Sequence, residues 1–366
     1  MRQTLGVDLG TTNTAAALGG RVLALGATRA LLPSVVAFLP NGTVQVGAAA
    51  RRRRAIDRQN TIFSSKRVIG RRWEEPEVQE FRERYPFDLE EKDGGPGFVT
   101  RAGTFSPTDI AAIVLATIHD KVERVASDLE IVITVPAGYS ERQRFATLEA
   151  AGKAKFPAAQ LIDEPASAAR AYRRILGPLK RVAVYDLGGG TFDFAIVDCS
   201  ESEPQVLRTA SDMFLGGDDI DAKIAEWVAA EVLKNHNWDL TNYPEVHNRL
   251  LAECEGAKIR LSKWERTSLD LSKVDPEFPA AAEPMRLRRE VIDELAERLV
   301  RRTFNTCDRV LREVGVAPDD LDAVLLAGGS THLPMVKAGV EAYFGRAGRD
   351  DLEATEVVAR GASPGD

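Results

Sequence analysis

Three glycine-rich turns in this sequence have the composition of anion cradles. Gly10-Thr-Thr12, Gly188-Gly-Gly-Thr191 and Gly328-Gly-Ser330 each directly follow a short apolar run of the kind that makes a buried strand. A bound phosphate needs clustered backbone N–H groups and close backbone approach, and glycine permits both. Hydroxyls at Thr11, Thr12, Thr191 and Ser330 add donors. Two of the turns also begin with an aspartate, Asp8 and Asp186. Magnesium takes one or two carboxylates plus waters and substrate phosphates, so facing aspartates at two strand ends would hold hydrated magnesium beside a triphosphate. Neither GxxxxGK[ST] nor GxGxxG occurs, which removes support for the nucleotide folds those patterns mark. One glycine turn alone is more often a tight hairpin; the set of three, with its repeated aspartate, carries the reading.

The elements that must position these turns can be read around them. Leu5 to Val7 reads as a strand ending at Asp8, followed by strands over Thr14–Leu18 and Arg21–Leu25 joined at Gly19-Gly20. Val35–Phe38 and Thr43–Val46 flank a hairpin signal at Pro40-Asn-Gly42, and Glu74 to Gly97 reads as polar, turn-rich surface. Ser106 and Ser140 look like helix caps, Ile131–Val135 is a buried-strand run stopped by Pro136, and Glu164–Ile175 is an alanine-rich helix. The opening theme then returns. Arg181–Tyr185 is a strand ending at Asp186, with strands Phe192–Val197 and Gln205–Thr209 behind it. Asp186 lies 178 residues after Asp8 (186 minus 8), a spacing that suggests duplicated halves facing each other rather than a solenoid. Helices over Asp219–Leu233, Pro244–Ser262, Arg288–Val314 and Pro334–Phe344, with a strand Leu321–Leu326, complete an alternating α/β pattern.

Composition sets bounds. A chain of 366 residues suits two lobes, each able to bury its own core, and 44% hydrophobic with 28% charged residues is a globular balance. A net charge of −7 argues against a general nucleic-acid binder. Cys199, Cys254 and Cys307, and His119, His236, His247 and His332, are scattered without metal-ligand or disulfide spacing. No run is apolar enough to span a membrane and the N-terminus has no signal-peptide pattern, so the expectation is a cytoplasmic monomer without membrane or nucleic-acid partners. Arg51-Arg-Arg-Arg54 reads as a solvated helix face, and Trp227, Trp238 and Trp264 read as packing residues.

The motifs resemble the ATPase domain of the heat shock protein 70 chaperone family. Gly6-Val-Asp-Leu-Gly-Thr-Thr-Asn13 is similar to its first phosphate motif, Tyr185-Asp-Leu-Gly-Gly-Gly-Thr-Phe-Asp193 to its second, and Leu326-Ala-Gly-Gly-Ser-Thr331 to its adenosine motif. Ser65-Lys-Arg-Val-Ile-Gly-Arg-Arg72 resembles the segment that carries the family's catalytic lysine, and Val132–Pro136 and Leu161–Pro165 resemble its connecting segments. The resemblance runs in order along nearly the whole chain. It implies an actin-like, ribonuclease-H-like α/β fold: two lobes around a nucleotide cleft, built from a duplicated βββαβαβα unit. Lobe I would take residues 1–175 (core 1–33 and 106–175, inserted subdomain 34–105), with 350–366 returning to it. Lobe II would take 176–349 (core 176–215 and 291–349, inserted subdomain 216–290).

The resemblance further implies ATP or ADP bound with magnesium, and potassium as an accessory ion. Asp8, Glu164 and Asp186 would hold magnesium through water, and Lys66 would stabilise charge on the γ-phosphate. Gly10, Thr11, Thr12, Asn13, Gly188, Gly189, Gly190 and Thr191 would surround the phosphates; Asp193, with Asp8, would order potassium and the attacking water. Gly216, Gly217, Glu255, Lys258, Ser262, Gly328, Gly329, Ser330 and His332 would hold the remainder of the nucleotide. Taken singly, Lys66 would more often be a surface charge and Glu164 a helix N-terminal acid. Pro136 and Arg144 match positions that couple nucleotide state to a partner domain. J-domain co-chaperones and nucleotide exchange factors are the implied partners, and client peptides only through a further domain.

The sequence also departs from the family pattern. Ile259 stands where some members carry a stacking arginine, His332 and Gln160 where arginines are usual, and Thr355 where an aspartate precedes the Val-Val-Ala-Arg-Gly segment. These changes weaken the forecast for adenosine affinity and for co-chaperone coupling. The chain reads to Asp366 without the family's interdomain linker or peptide-binding domain, so a truncated piece and a stand-alone domain are both open. Slow ATP hydrolysis is the favoured activity. A nucleotide-binding interaction module with negligible hydrolysis and an actin-like filament subunit are the alternatives; a sugar or acetate kinase would need an acceptor base that is not recognisable here.

Overall fold

The computed structural model describes residues 3–26, 30–126, 128–156, 158–279 and 284–365. Two sheets organise it. In the first, the strands run Gln160–Asp163, Leu129–Val135, Gln3–Leu9, Asn13–Leu18 and Arg21–Val22, with Leu32–Pro33 also on Asn13–Leu18. In the second they run Gln205–Asp212, Phe192–Asp198, Arg181–Leu187 and Ala323–Ala327. In both, the strand that ends at the motif aspartate pairs antiparallel with the strand after it and parallel with a later strand. Asp8 and Asp186 thus sit at the carboxyl ends of parallel-paired strands, where α/β sheets open their ligand crevices. The strand expected to reach Leu25 pairs only over Arg21–Val22.

The second sheet shows why its strands read as continuous apolar runs. Ala183, Tyr185 and Leu187 point into one core with the long helix Arg289–Val314, while Val182 and Val184 point into another with the helix Glu164–Leu176. Successive strand residues face opposite sides, and a strand covered on both sides is apolar at every position. The first sheet contributes Leu5, Val7 and Ile133 to a separate core with the helices Pro107–Val122 and Glu141–Lys153. Both of those helices open with the capping boxes suggested by Ser106 and Ser140, whose hydroxyls accept from Asp109 N and Gln143 N.

The helix Val357–Ala362 shares cores with both sheets, Val357 and Val358 with Val182 and Val184, and Ala359 with Ala15 and Ala17. It packs on the helix Glu164–Leu176 and on the strand Gln3–Leu9. Ser167 Oγ donates to Val358 O at 2.7 Å and Ser363 Oγ to Thr4 O at 2.6 Å. A Cβ at Gly6 would lie 2.6 Å from Ser363 N and 2.7 Å from Ala359 O, so only glycine lets this helix close on the strand.

Two expectations need correction. The segment after Glu74 is not merely polar surface. It forms the helix Pro76–Arg84 and the strands Leu89–Lys92 and Gly95–Thr100, because Val78, Phe81, Phe87 and Phe98 bury together with Tyr85 in a stacked and edge-on aromatic cluster. Phe81→Ala is expected to destabilise this unit by about 3–5 kcal/mol, read as earlier loss of Trp73 fluorescence in urea. Trp227 and Trp238 do pack against a core, but Trp264 is 68% exposed. Among the described residues, no helix is long and apolar enough to cross a membrane.

Candidate functional site

The Asp8 turn and the Asp186 turn face each other across a cavity of about 1130 Å3, its open mouth included. Its walls carry Asp8, Gly10, Thr11, Thr12 and Asn13 from the first sheet, and Asp186, Gly188, Gly189, Thr191 and Asp193 from the second. Lys66 enters from the 3-10 turn Ser65–Val68, and Glu164 from the first turn of its helix. Gly328 and Gly329 also line it, and a Cβ at Gly328 would lie 2.4 Å from Asp186 Oδ1. The phosphate turns approach closely: a Cβ at Gly189 would be 2.3 Å from Thr12 Oγ1 on the opposite wall.

Lys66 is not a surface charge. Its Nζ donates to Glu164 Oε1 at 2.7 Å, with both side chains nearly buried. Burial opposes the ammonium, but Glu164, Tyr139 and Asp8 more than offset it, and the Lys66 pKa is raised. The carboxyls around it are crowded. Burial and then Glu164 push Asp8 up to about 7. The same two causes push Asp193 up to about 6, and burial, Glu164, Asp193 and Asp8 hold Asp186 well above its ordinary value. Four carboxyl groups around one lysine are short of positive charge, which is the donor set of a site that takes a hydrated divalent cation.

Other groups are short of an anion. Thr12 Oγ1 is buried without a hydrogen-bond partner, as are Arg67 Nε and Nη1. Arg67 is 3% exposed and lies over Gly190, where a Cβ would sit 2.1 Å from Nη2. Its nearest carboxylate oxygen, on Asp218, is 3.9 Å from Nη2. A buried arginine and a buried hydroxyl with open donors, next to glycine turns, fit an entering phosphate. Magnesium and a polyphosphate together therefore suit the residues present.

Of the remaining nucleotide candidates, Gly216, Gly217, Lys258 and Ser330 gather against the Gly188–Gly190 turn, whereas Ser262 and His332 are bonded elsewhere. Gly217 N donates to Gly188 O at 3.1 Å, and Gly216 packs on the Gly189–Gly190 backbone. Ser330 Oγ donates to Gly188 O at 2.8 Å. Lys258 Nζ is held by Gly217 O and Asp221 Oδ2, each at 2.7 Å. Glu255 pairs with Arg51, Ser262 Oγ donates to Ile259 O, and His332 Nε2 meets Glu353 Oε1 at 2.7 Å. Asp221 is pushed up to about 7 by burial against the pull of Lys258.

The reading of Arg51–Arg54 as a solvated face holds for Arg52, which is exposed, but not for Arg51 and Arg54. Arg51 reaches across to Glu255, and the Arg54 guanidinium stacks 3.8 Å over Phe63, where burial lowers its pKa against Asp218 and Glu255. The Arg51 partner lies far along the chain, and a local charge count could not anticipate it; Arg53 pairs within its own turn, with Asp57. Arg67, Arg71, Tyr139, Ser211 and Met213 also line the cavity, and the motifs alone do not single them out. Arg67 and Arg71 sit inside the same basic run as Lys66, so only adjacency to Lys66 hints at them. Tyr139 donates to Lys66 O at 3.3 Å, and Arg71 Nη2 approaches Met213 Sδ at 3.0 Å. Pro136 is part of the wall, and Arg144 bonds Asp163 Oδ1 at 2.6 Å, one residue before Glu164.

The family model described as Hsp70 protein matches residues 4–364, which include every turn and wall of this cavity. A match over nearly the whole chain, together with a mixed α/β fold whose two sheets meet at this site, carries the family's actin-like ATPase architecture. The chain belongs to the Hsp70 protein family.

Proposed function

We propose that the chain binds ATP with magnesium in the cavity between its two sheets and slowly hydrolyses it to ADP and phosphate, as the ATPase domain of an Hsp70-like chaperone. The observation that carries this is the buried Lys66–Glu164 pair at 2.7 Å among Asp8, Asp186 and Asp193, with glycine turns on either side. Water attacks the γ-phosphorus, the bond from phosphorus to the bridging oxygen breaks, and ADP leaves. Such a reaction asks the protein for position and electrostatics.

Backbone N–H groups of Gly10–Thr12 and Gly189–Thr191 face the phosphate oxygens (the Gly188 N–H is already donated to Thr191 O), and Thr12 Oγ1 gains the partner it lacks. Asp8, Glu164 and Asp186 would hold magnesium, which would screen the phosphate charge. Lys66 shares its donors between Glu164 and the γ-phosphate. Asp193, with Asp8, accepts from the attacking water, and potassium is a proposed occupant beside them. Lys258, Glu255, Ser262, Ser330 and His332 are assigned to the nucleoside side.

Lobes at 1–175 with 350–366, and at 176–349, are proposed to open and close about this cavity. The shared arrangement around Asp8 and Asp186 supports reading them as a duplicated unit. J-domain and exchange-factor contacts are proposed on family grounds, the former weakened by Gln160. ATP with magnesium at a hundredfold excess over its dissociation constant should stabilise the fold by about 2.7 kcal/mol, seen as a rise of several degrees in melting temperature. No shift with ATP, ADP or magnesium would sink the proposal.

A further inference from the structure

Asp186, Asp193 and Ser211 stand in one row across three neighbouring strands. Asp186 is opposite Asp193 in the ladder of Arg181–Leu187 with Phe192–Asp198. Asp193 is opposite Ser211 in the ladder of Phe192–Asp198 with Gln205–Asp212. Residues directly opposite in antiparallel ladders share a face, and here all three line the cavity. The Ser211 hydroxyl donates to Asp193 Oδ1. Thr191 also hydrogen-bonds the Asp193 carboxylate, so Ser211 is one of two hydroxyls that hold it. Like-charged Asp186 stands beside it, Glu164 faces it from the neighbouring helix, and Lys66 is already bonded to Glu164. A carboxylate repelled from one side turns about its side-chain torsions unless a donor fixes it.

We propose that Ser211 is a positioning residue for hydrolysis: by holding Oδ1 of Asp193 it fixes the carboxylate so that the other oxygen accepts a hydrogen bond from the attacking water. This rests on the hydrolytic reading of the site and adds a residue to it. Ser211 is an exposed residue of the cavity wall whose hydroxyl is engaged by Asp193, and its role is assigned through that bond. Misplacing a reacting or hydrogen-bonding group by a fraction of an ångström slows chemistry more than it weakens ground-state binding.

The test compares Ser211→Thr with Ser211→Val, which have the same branched shape and suit a strand but differ in the hydroxyl. Single-turnover hydrolysis should slow by about tenfold in Ser211→Val and stay near the parent rate in Ser211→Thr. ATP affinity and the nucleotide-free melting temperature should match between the two. In an Asp193→Asn background the two should be equally slow, because a residue acting through Asp193 has nothing left to position. Equal rates for Ser211→Thr and Ser211→Val in the parent background, or an undiminished difference in Asp193→Asn, overturn the role of Ser211 alone. A parent that turns over no ATP overturns the hydrolytic reading, and this role with it.

Discussion

Lys66→Ala is expected to reduce ATP hydrolysis by about a thousandfold while leaving nucleotide bound. Removing one preorganised charge from the place where negative charge develops costs on the order of a hundred- to a thousandfold in rate, and Lys66 is the lysine on the cavity wall. Binding should survive, because the backbone donors of the glycine turns and the carboxyls that hold magnesium are untouched. If anything, Glu164 freed from its 2.7 Å partner becomes a stronger magnesium-side group. Lys66→Arg should not rescue. A planar guanidinium is not a compact ammonium on a flexible stem, and the space above Lys66 is closed by Tyr139, whose ring centroid is 5.9 Å from Nζ. Calorimetric titration beside single-turnover rates would separate the two effects. A Lys66→Ala variant that hydrolyses at the parent rate would remove Lys66 from the chemistry.

Asp186→Asn should do two opposite things: raise the melting temperature of the nucleotide-free protein and slow hydrolysis severely. The Asp186 carboxyl is held well above its ordinary range by burial, Glu164, Asp193 and Asp8, and Asp8 is pushed from 3.8 to about 7. A carboxyl that ionises later in the folded protein than in the unfolded chain adds stability that is complete below the unfolded value. That stability is lost as pH rises through the folded one. The nucleotide-free melting temperature should therefore fall from pH 5 to pH 8, and magnesium should recover much of the loss by favouring the ionised forms. The neutral amide of Asp186→Asn should make the fall shallower and the magnesium response weaker. Turnover should drop by about a thousandfold, because a neutral amide would attract hydrated magnesium far less than a carboxylate. A melting temperature that rises with pH over this range, or an Asp186→Asn variant less stable than the parent without ligand, would contradict this picture of stored like-charge repulsion.

The parts of the site that are legible in the sequence are those a local backbone demands. Asp8-Leu-Gly-Thr-Thr12 and Asp186-Leu-Gly-Gly-Gly-Thr191 need a strand to end, a carboxylate to point outward and a turn without side chains, all within a few residues. The Ser106 and Ser140 caps are legible for the same reason, since the hydroxyl bonds a backbone three residues on. What is not legible depends on distant chain. The pairing of Arg51 with Glu255, the seat of Arg67 over Gly190 and the bond from Ser211 to Asp193 exist only once the sheets and their insertions have met. The segment after Glu74 reads as polar because its core is made of a few widely spaced aromatics rather than a periodic stripe. Residue type alone assigns Trp264 to packing, and type does not say which side of a turn faces water.

The central claim is that this cavity hydrolyses ATP, and the most direct measurement is a single turnover. Protein in excess would be mixed with ATP and magnesium, and the bound nucleotide identified over several hours. The expected result is ADP replacing ATP in one slow exponential phase that is absent without magnesium. ATP that stays bound and intact throughout would contradict hydrolysis and leave a nucleotide-binding module in its place.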